Sequence, residues 1–232
     1  MIEHKFSKIR LFIILLIVFS PFLGQSQDFR LGFKANPSFS VIKPSSDYHE
    51  SVGTKVGFSY GLLFDYFIKD NYAISSEFAI STMGGQVEYN KSDTSIVSNI
   101  NLRYIEIPIT LKLLTKELTD NVKVYGKFGL NLAFRIKAEA DVEYKKGGIE
   151  YKNDDIKNAN NYIQPFNTSL LFGAGIEYNI SDNLDLVLGL SYNNGFLNVM
   201  KSKSIYRQET TNLISGFEGN INYLAVNVGL LF

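Results

Sequence analysis

Long stretches in which apolar and polar residues alternate one by one constrain this chain more than any other feature. From Val56 to Ile68 every second residue is apolar, and Gly57, Ser59 and Asp65 lie among the residues between them. The same period recurs over residues 104–113 and 122–137. Because successive side chains of a strand point to opposite faces, this period predicts β-strands with one apolar face and does not fit amphipathic helices.

Weaker examples of the same period bring the predicted number of strands to eight. Most of these strands are longer than the roughly 5 to 6 residues common in soluble proteins. They are also long enough for a tilted strand that crosses a bilayer, which needs about 9 to 11 residues. The five additional strands are predicted at about residues 29–40, 72–88, 167–180, 184–196 and 220–232.

The connections between these strands alternate in length, so short and long connections emerge at opposite ends. Outer-membrane barrels have this arrangement, with short periplasmic turns and long external loops. We therefore predict an all-β fold, an eight-stranded antiparallel up-and-down transmembrane β-barrel that forms one domain over residues 27–232. The short connections lie at residues 69–71, 115–121 and 181–183, and the long ones at about residues 41–53, 89–99, 138–166 and 197–219.

The direction of the apolar face separates a membrane barrel from an exported lipocalin-like barrel, in which that face would point inward. The opposite face carries charges of both signs, which can pair inside a narrow lumen and so favour lipid on the outside. Aromatic residues near strand ends are typical of interfacial girdles, and here they are Tyr66, Phe67, Tyr72, Tyr178, Tyr192 and Phe196. The predicted lumen charges are Arg30, Lys34, Lys55, Lys112, Lys123, Lys127, Arg135, Asp65, Glu77, Glu106, Glu177 and Asp185.

The N-terminus predicts export from the cytoplasm. Basic residues precede an apolar run over residues 11–23, and small residues follow it. This order is typical of a secretory signal peptide, here residues 1–26 with cleavage after Ser26. A membrane anchor is the alternative, but the run is shorter than the roughly 20 residues of a spanning helix.

Residues that carry chemistry are sparse. The chain has no Cys, which excludes disulfides, thiol nucleophiles and iron–sulfur clusters. Its 23 basic residues equal its 23 acidic residues, so no basic excess points to nucleic acid. His49 has no converging nucleophile and acid in its local sequence, and we expect a solvated loop histidine. Asp154 and Asp155 lack a calcium-loop ligand series, and we expect a solvated loop tip.

The lumen carboxylates Glu77, Glu106 and Glu177 are the strongest candidates for acid–base chemistry, because buried acids often have shifted proton affinities. The lysines and arginines predicted on the same face favour structural pairing instead. We accordingly predict no catalytic, cofactor-binding or metal site.

Proline and glycine residues predict local irregularities in the strands. Pro108 cannot donate to a ladder, so we predict a bulge or a ladder gap there, with Glu106 and Lys112 helping to fix the lumen network. The glycines at residues 84–85 predict a bend or bulge. Those at residues 147–148 predict a hairpin turn that carries strand structure beyond the membrane.

Several short segments resemble the PorT-like outer-membrane β-barrel family of Bacteroidota. The segment from Arg103 to Lys112, RYIEIPITLK, is similar to the family's Tyr-hydrophobic-Glu-Ile-Pro strand, and residues 31–36 and 172–178 are similar to its other strands. The last strand, ending in Phe232, resembles the signal that barrel proteins carry for their assembly machinery. The resemblance implies a small barrel in the outer membrane, and the founding member's association with type IX secretion makes a secretion role an expectation.

We therefore expect a non-enzymatic outer-membrane protein. Its partners would be membrane lipid, the assembly machinery and a surface or secretion partner that contacts its external loops, and not nucleic acid. The alternatives are a lipid-modifying or proteolytic barrel enzyme and a narrow pore for small solutes.

Overall fold

A computed structural model describes residues 29–91, 94–119, 121–147, 149–201 and 217–232. These residues form nine strands and no helix, and hence no helix that could span a membrane. The predicted signal peptide and its cleavage site after Ser26 lie outside the described residues. The strands are β1 Phe29–Pro44, β2 His49–Lys69, β3 Tyr72–Lys91, β4 Thr94–Leu114, β5 Val122–Lys146, β6 Ile149–Ile156, β7 Phe166–Ser181, β8 Leu184–Gly195 and β9 Gly219–Leu231.

Eight of these strands close into a ring of antiparallel neighbours. Each pairs with the next in the order β1, β2, β3, β4, β5, β7, β8 and β9, and β9 pairs back with β1. Strand β6 lies outside the ring and pairs with β5 in a hairpin whose turn includes Gly147, which has a φ of 57°. The eight-stranded barrel and the external hairpin are thus both confirmed.

The alternation of side chains determines what faces outward. On β2, the Phe58 side chain is 47% exposed, whereas Asp65 on the opposite face is fully buried. The apolar face therefore points away from the lumen, as predicted for a membrane barrel and unlike a lipocalin. Most of the predicted girdle aromatics point outward, but the prediction was wrong for Phe67, which points inward and packs beside Leu63 because it shares the parity of Asp65.

Strands β1 to β5 are longer than predicted. Residues 41–44 belong to β1 and residues 49–53 to β2, residues 89–91 and 94–99 pair as strand up to Lys91 and Thr94, and β5 continues to Lys146, so these parts of three predicted loops are wrong. The error arises because polarity reverses along β4. The inward residues between Arg103 and the short turns include the polar Glu106, Thr110 and Lys112, whereas those on the other side of Arg103 are mainly apolar, so a pattern with one continuous apolar face ends too early.

We call the part of the molecule on the far side of Arg103 from the short turns the cap, and the part between Arg103 and the short turns the membrane barrel. The cap contains the far ends of β1 to β5, β6, residues 157–163 and 197–201, and the beginning of β9. Its interior is a cluster of buried apolar side chains, as in a water-soluble domain. The cluster consists of Ile42, Met83, Val87, Ile96, Ile100, Leu102, Tyr104, Ala133, Ala138, Ala140, Val142, Ala159, Ile163, Val199, Met200, Phe217 and Ile221.

The predicted irregularities lie where the sequence indicated them. At Pro108 the β3–β4 ladder has a gap between the pairs Ser76–Ile109 and Ala79–Glu106, and the Ser76 hydroxyl donates to the Pro108 carbonyl at 3.0 Å. The β2–β3 register shifts beside Gly85. A Cβ on Gly85 would lie 2.7 Å from the Ile42 backbone nitrogen, so glycine is required for β3 to pass close to β1.

Candidate functional site

The half of the lumen nearest the short turns contains a network of ion pairs. Lys112 on β4 pairs with Asp65 on β2 and with Glu177 on β7. Arg30 on β1 extends the network, because its guanidinium lies 2.5 Å from the Asp185 carboxylate and 3.6 Å from that of Glu177. The network thus joins strands on opposite sides of the ring.

A second network fills the lumen nearer the cap. Glu77 on β3 pairs with Lys34 and, at 3.0 Å, with Lys127. Glu106 accepts hydrogen bonds from the Tyr223 hydroxyl at 2.7 Å and from the Asn131 amide at 2.6 Å. Pairing of this kind is required in the lumen, because a buried charge without a partner is strongly destabilising.

Three of the predicted lumen charges lie away from these networks. The Lys55 ammonium donates to the amide oxygen of Asn99 at 3.5 Å, and Arg135 donates to the backbone oxygen of Asn160 at 2.8 Å. Lys123 lies 3.8 Å from Glu117 in a partly exposed pair near the short turns. Lys123 is therefore a rim residue, because its position is close to the end of β5.

The middle of the lumen has almost no free space. A cavity of about 20 Å³ remains among residues that include Glu77, Lys127, Asn131 and Tyr223, which is enough for about one water molecule. The apolar cluster of the cap lies across the outer end of the lumen. This space is too small to hold a substrate or to let a solute pass.

The three candidate acids for acid–base chemistry are held in structural contacts. Glu77 and Glu177 pair with lysines, and Glu106 accepts hydrogen bonds from Tyr223 and Asn131. The sequence search missed Tyr223 and Asn131. Asn131 lies on the polar face of its predicted strand. Tyr223 is aromatic, and only the small and polar residues that alternate after it, Ala225, Asn227 and Gly229, indicate that it points inward.

His49 is not the solvated loop histidine that we expected. It begins β2 inside the cap, where its side chain is buried against the rings of Tyr89 and Phe217 at centroid distances of 5.0 and 5.1 Å. Its Nδ1 lies 3.1 Å from the Ser46 hydroxyl. Burial lowers the pKa of His49 below its ordinary value, since desolvation disfavours the imidazolium.

A metal site requires several His, Asp or Glu side chains that lie close together. Within the part of the chain that the structure describes, no three of them come together in a way that could hold a metal ion. Asp154 and Asp155 belong to β6, and not to a loop tip as predicted, but their side chains are outside the described part of the structure.

Residues 24–201 match the outer membrane protein beta-barrel domain family. The chain belongs to this family. The fold and the family together place the protein in the outer membrane, as predicted. No curated protein sequence matches the chain.

Similar solved structures are also outer-membrane barrels. Neisserial surface protein A (NspA) is 16% identical over 88% of this chain and 95% of its own, with a TM-score of 0.44. The outer membrane protein OprG from Pseudomonas aeruginosa is 14% identical over 88% of this chain and 95% of its own, with a TM-score of 0.47. Ail, the attachment invasion locus protein of Yersinia pestis, solved with a heparin analogue, is 13% identical over 89% of this chain and all of its own, with a TM-score of 0.38.

Proposed function

We propose that this protein is a monomeric, non-enzymatic outer-membrane barrel whose cap binds a protein partner outside the cell. The observation that carries the proposal is the contrast between a filled lumen and a folded cap. The middle of the lumen leaves about 20 Å³ free, whereas the cap has its own apolar core and an outward face of polar residues. A protein that transports solute needs an open lumen, but a protein that binds a partner needs an ordered external surface.

A pore is the alternative that the filled lumen argues against most directly. We expect the purified protein in planar bilayers to show no steady single-channel current above the baseline. A large, steady current would contradict the filled lumen. The variant Ile100→Ala, which weakens packing in the cap, is a control for gating by the cap. It should also show no steady current, because the ion pairs in the lumen of the membrane barrel remain.

An enzyme is the other alternative, and the pairing of the lumen acids argues against it. The resemblance of Arg103–Lys112 to the PorT-like strand supports envelope assembly or secretion as the setting in which the partner is found. The last strand, β9, ends at the short-turn side, which supports its recognition by the barrel assembly machinery during insertion.

Photo-crosslinking in intact cells tests the proposed partner surface. The probe is placed at Glu143, which is exposed on the outer face of the cap, and a matched probe is placed at Leu118, which is exposed at the short-turn end. We expect a discrete crosslinked protein from Glu143 and not from Leu118. Crosslinks to a protein from Leu118 alone would contradict a partner outside the cell.

A further inference from the structure

A small cleft opens on the outer surface where the membrane barrel meets the cap. We call it the rim cleft; it has a volume of about 200 Å³ and is lined by Thr82, Asn101, Leu102, Arg103, Lys137 and Glu139. Thr82, Arg103 and Lys137 are cross-strand partners on β3, β4 and β5, so they form a row around the barrel. This row is the first polar one beyond the lipid-facing Ile80, Ile105 and Phe134.

A break in the register of β5 directs Lys137 into this cleft. Arg135 pairs with Tyr104, but Lys137 pairs with Arg103, so Ile136 is an extra residue in the ladder. Ile136 is exposed and so is Lys137, although adjacent strand residues normally point to opposite faces. Without this bulge Lys137 would share the inward parity of Arg135, and re-aiming a side chain is a recurrent role of bulges.

The bulge places two cations directly opposite each other. Like charges at such a cross-strand pair destabilise a sheet unless an anion lies near them. Glu139 supplies part of the negative charge that offsets these two cations, because its carboxylate lies 2.6 Å from the Lys137 ammonium. The hydrogen bond from Lys137, together with the charges of Lys137, Arg103 and Lys157, lowers the pKa of the Glu139 carboxyl below its ordinary value, so three cations act on one acid.

The guanidinium of Arg103 has no hydrogen-bond or ion-pair partner among the described residues. An exposed arginine fork is well suited to two parallel hydrogen bonds with a phosphate group. The acids Asp141 and Glu143 follow Glu139 on the outward face of β5, farther from the lipid. Positive charge is therefore concentrated at the depth where the headgroups of membrane lipids lie.

We propose that the rim cleft binds a phosphate group of a phosphorylated glycolipid in the outer leaflet. Arg103 and Lys137 hold the phosphate, and Asn101 contacts the sugar to which it is attached. The acyl chains of the lipid then lie along Ile80, Ile105 and Phe134 below the cleft. The inference depends on the outer-membrane location and is independent of the protein partner proposed for the cap.

Retention of phosphorylated lipid A through detergent purification tests this proposal. The wild-type barrel is purified from micelles that contain phosphorylated lipid A or the same lipid with its phosphates removed, and bound lipid is counted by native mass spectrometry. We expect the wild type to retain the phosphorylated form. The double variant Arg103→Gln with Lys137→Gln should lower this retention about tenfold, because the charge-assisted hydrogen bonds to the phosphate are lost. Arg103→Lys keeps the charge and should retain an intermediate amount.

The matched control removes two cations at the opposite rim, through Lys69→Gln with Lys116→Gln, both of which are exposed. Retention should stay at the wild-type level, and heat-modifiable migration confirms that every variant is folded. Equal retention by the cleft variant and the wild type would overturn the proposal. Equal retention of the dephosphorylated lipid would also overturn it. If inorganic phosphate alone raised the thermal stability of the barrel as much as phosphorylated lipid A does, the cleft would be an ion site without a lipid, which would likewise overturn the proposal.

Discussion

The membrane barrel and the cap are built from the same strands but have opposite polarity. On β4, Ile105, Ile107 and Ile109 face outward below the boundary, while Ile100 and Leu102 face inward above it. The alternation of side chains does not slip on this strand. The solvent around the strand changes instead, and the residue types on each face change with it.

The difference teaches that the two regions are held together by different forces. In the cap, water surrounds the strands, so burial of apolar side chains stabilises the interior. In the membrane barrel, lipid surrounds the strands and removes that driving force, and the polar side chains must find partners within the lumen. The region that a residue belongs to therefore predicts what its substitution costs.

Loss of a central lumen charge is expected to have the largest effect. Lys112→Met leaves Asp65 and Glu177 without their shared cation, and breaking a buried pair in this way costs about 3–5 kcal/mol. The free energy of unfolding in liposomes, measured with urea, tests this expectation. Lys123→Met on β5 is the control, because its partly exposed pair is worth about 1 kcal/mol or less. Equal losses for both variants would contradict a lumen stabilised by buried pairing.

The cap is expected to depend on apolar packing. Ile100 is fully buried, and Ile100→Ala should cost about 2–5 kcal/mol as the side chain leaves a cavity. The loss should increase cleavage of the cap by an added protease without changing heat-modifiable migration of the barrel. Ile109→Ala on the same strand should cost much less, because lipid tails fill the space. A larger effect at Ile109 would reverse the comparison.

A charge placed on the outward face of β4 distinguishes lipid from water directly. Ile109, 51% exposed and central among the outward apolar residues of β4, faces lipid, so Ile109→Lys should cost about 2–4 kcal/mol. Val97 faces outward in the cap, and Val97→Lys should change stability by about 0.5 kcal/mol or less. Both values come from urea titration in liposomes. Similar costs at the two positions would mean that they share one environment.

The smallest expected effect is a pH dependence confined to the cap. Burial lowers the pKa of His49, so the unfolded cap binds a proton more readily than the folded cap. The stability from neutral His49 is present above its unfolded pKa of about 6.5 and declines as the pH falls below it. Protease cleavage of the cap should thus become faster on acidification, and His49→Gln should weaken this response. An unchanged response in the variant would exclude His49 as its origin.

Much of the membrane barrel could be predicted from the sequence because its alternation is local and regular. The strand around Tyr60, the gap at Pro108 and the inward position of Glu77 each follow from neighbouring residues. The pairing of Glu77 with Lys34 and Lys127 could not be predicted in the same way. Strands β1, β3 and β5 are not neighbours in the ring, so these side chains meet only across the lumen of the closed barrel.

The cap was harder to predict for physical reasons. Its residues on β4 keep the period but exchange polarity, so Ile96 was predicted to lie in the connection at residues 89–99. His49 is polar in sequence and is buried because Tyr89 and Phe217, both far along the chain, pack against it. The rim cleft depends on the bulge at Ile136, and no local pattern indicates which residue of β5 is the extra one.

The inversion of polarity along β4 is tested most directly by a scan of single cysteines, since the natural chain contains none. A nitroxide label is placed in turn at outward positions from Val97 to Ile109, and its collision rates with oxygen and with a water-soluble nickel complex are measured in liposomes. We predict high oxygen and low nickel access at Ile105, Ile107 and Ile109, and the reverse at Val97, Asn99 and Asn101, with the change at Arg103. A uniform lipid signal along the strand, or water access at Ile109, would contradict the division into membrane barrel and cap.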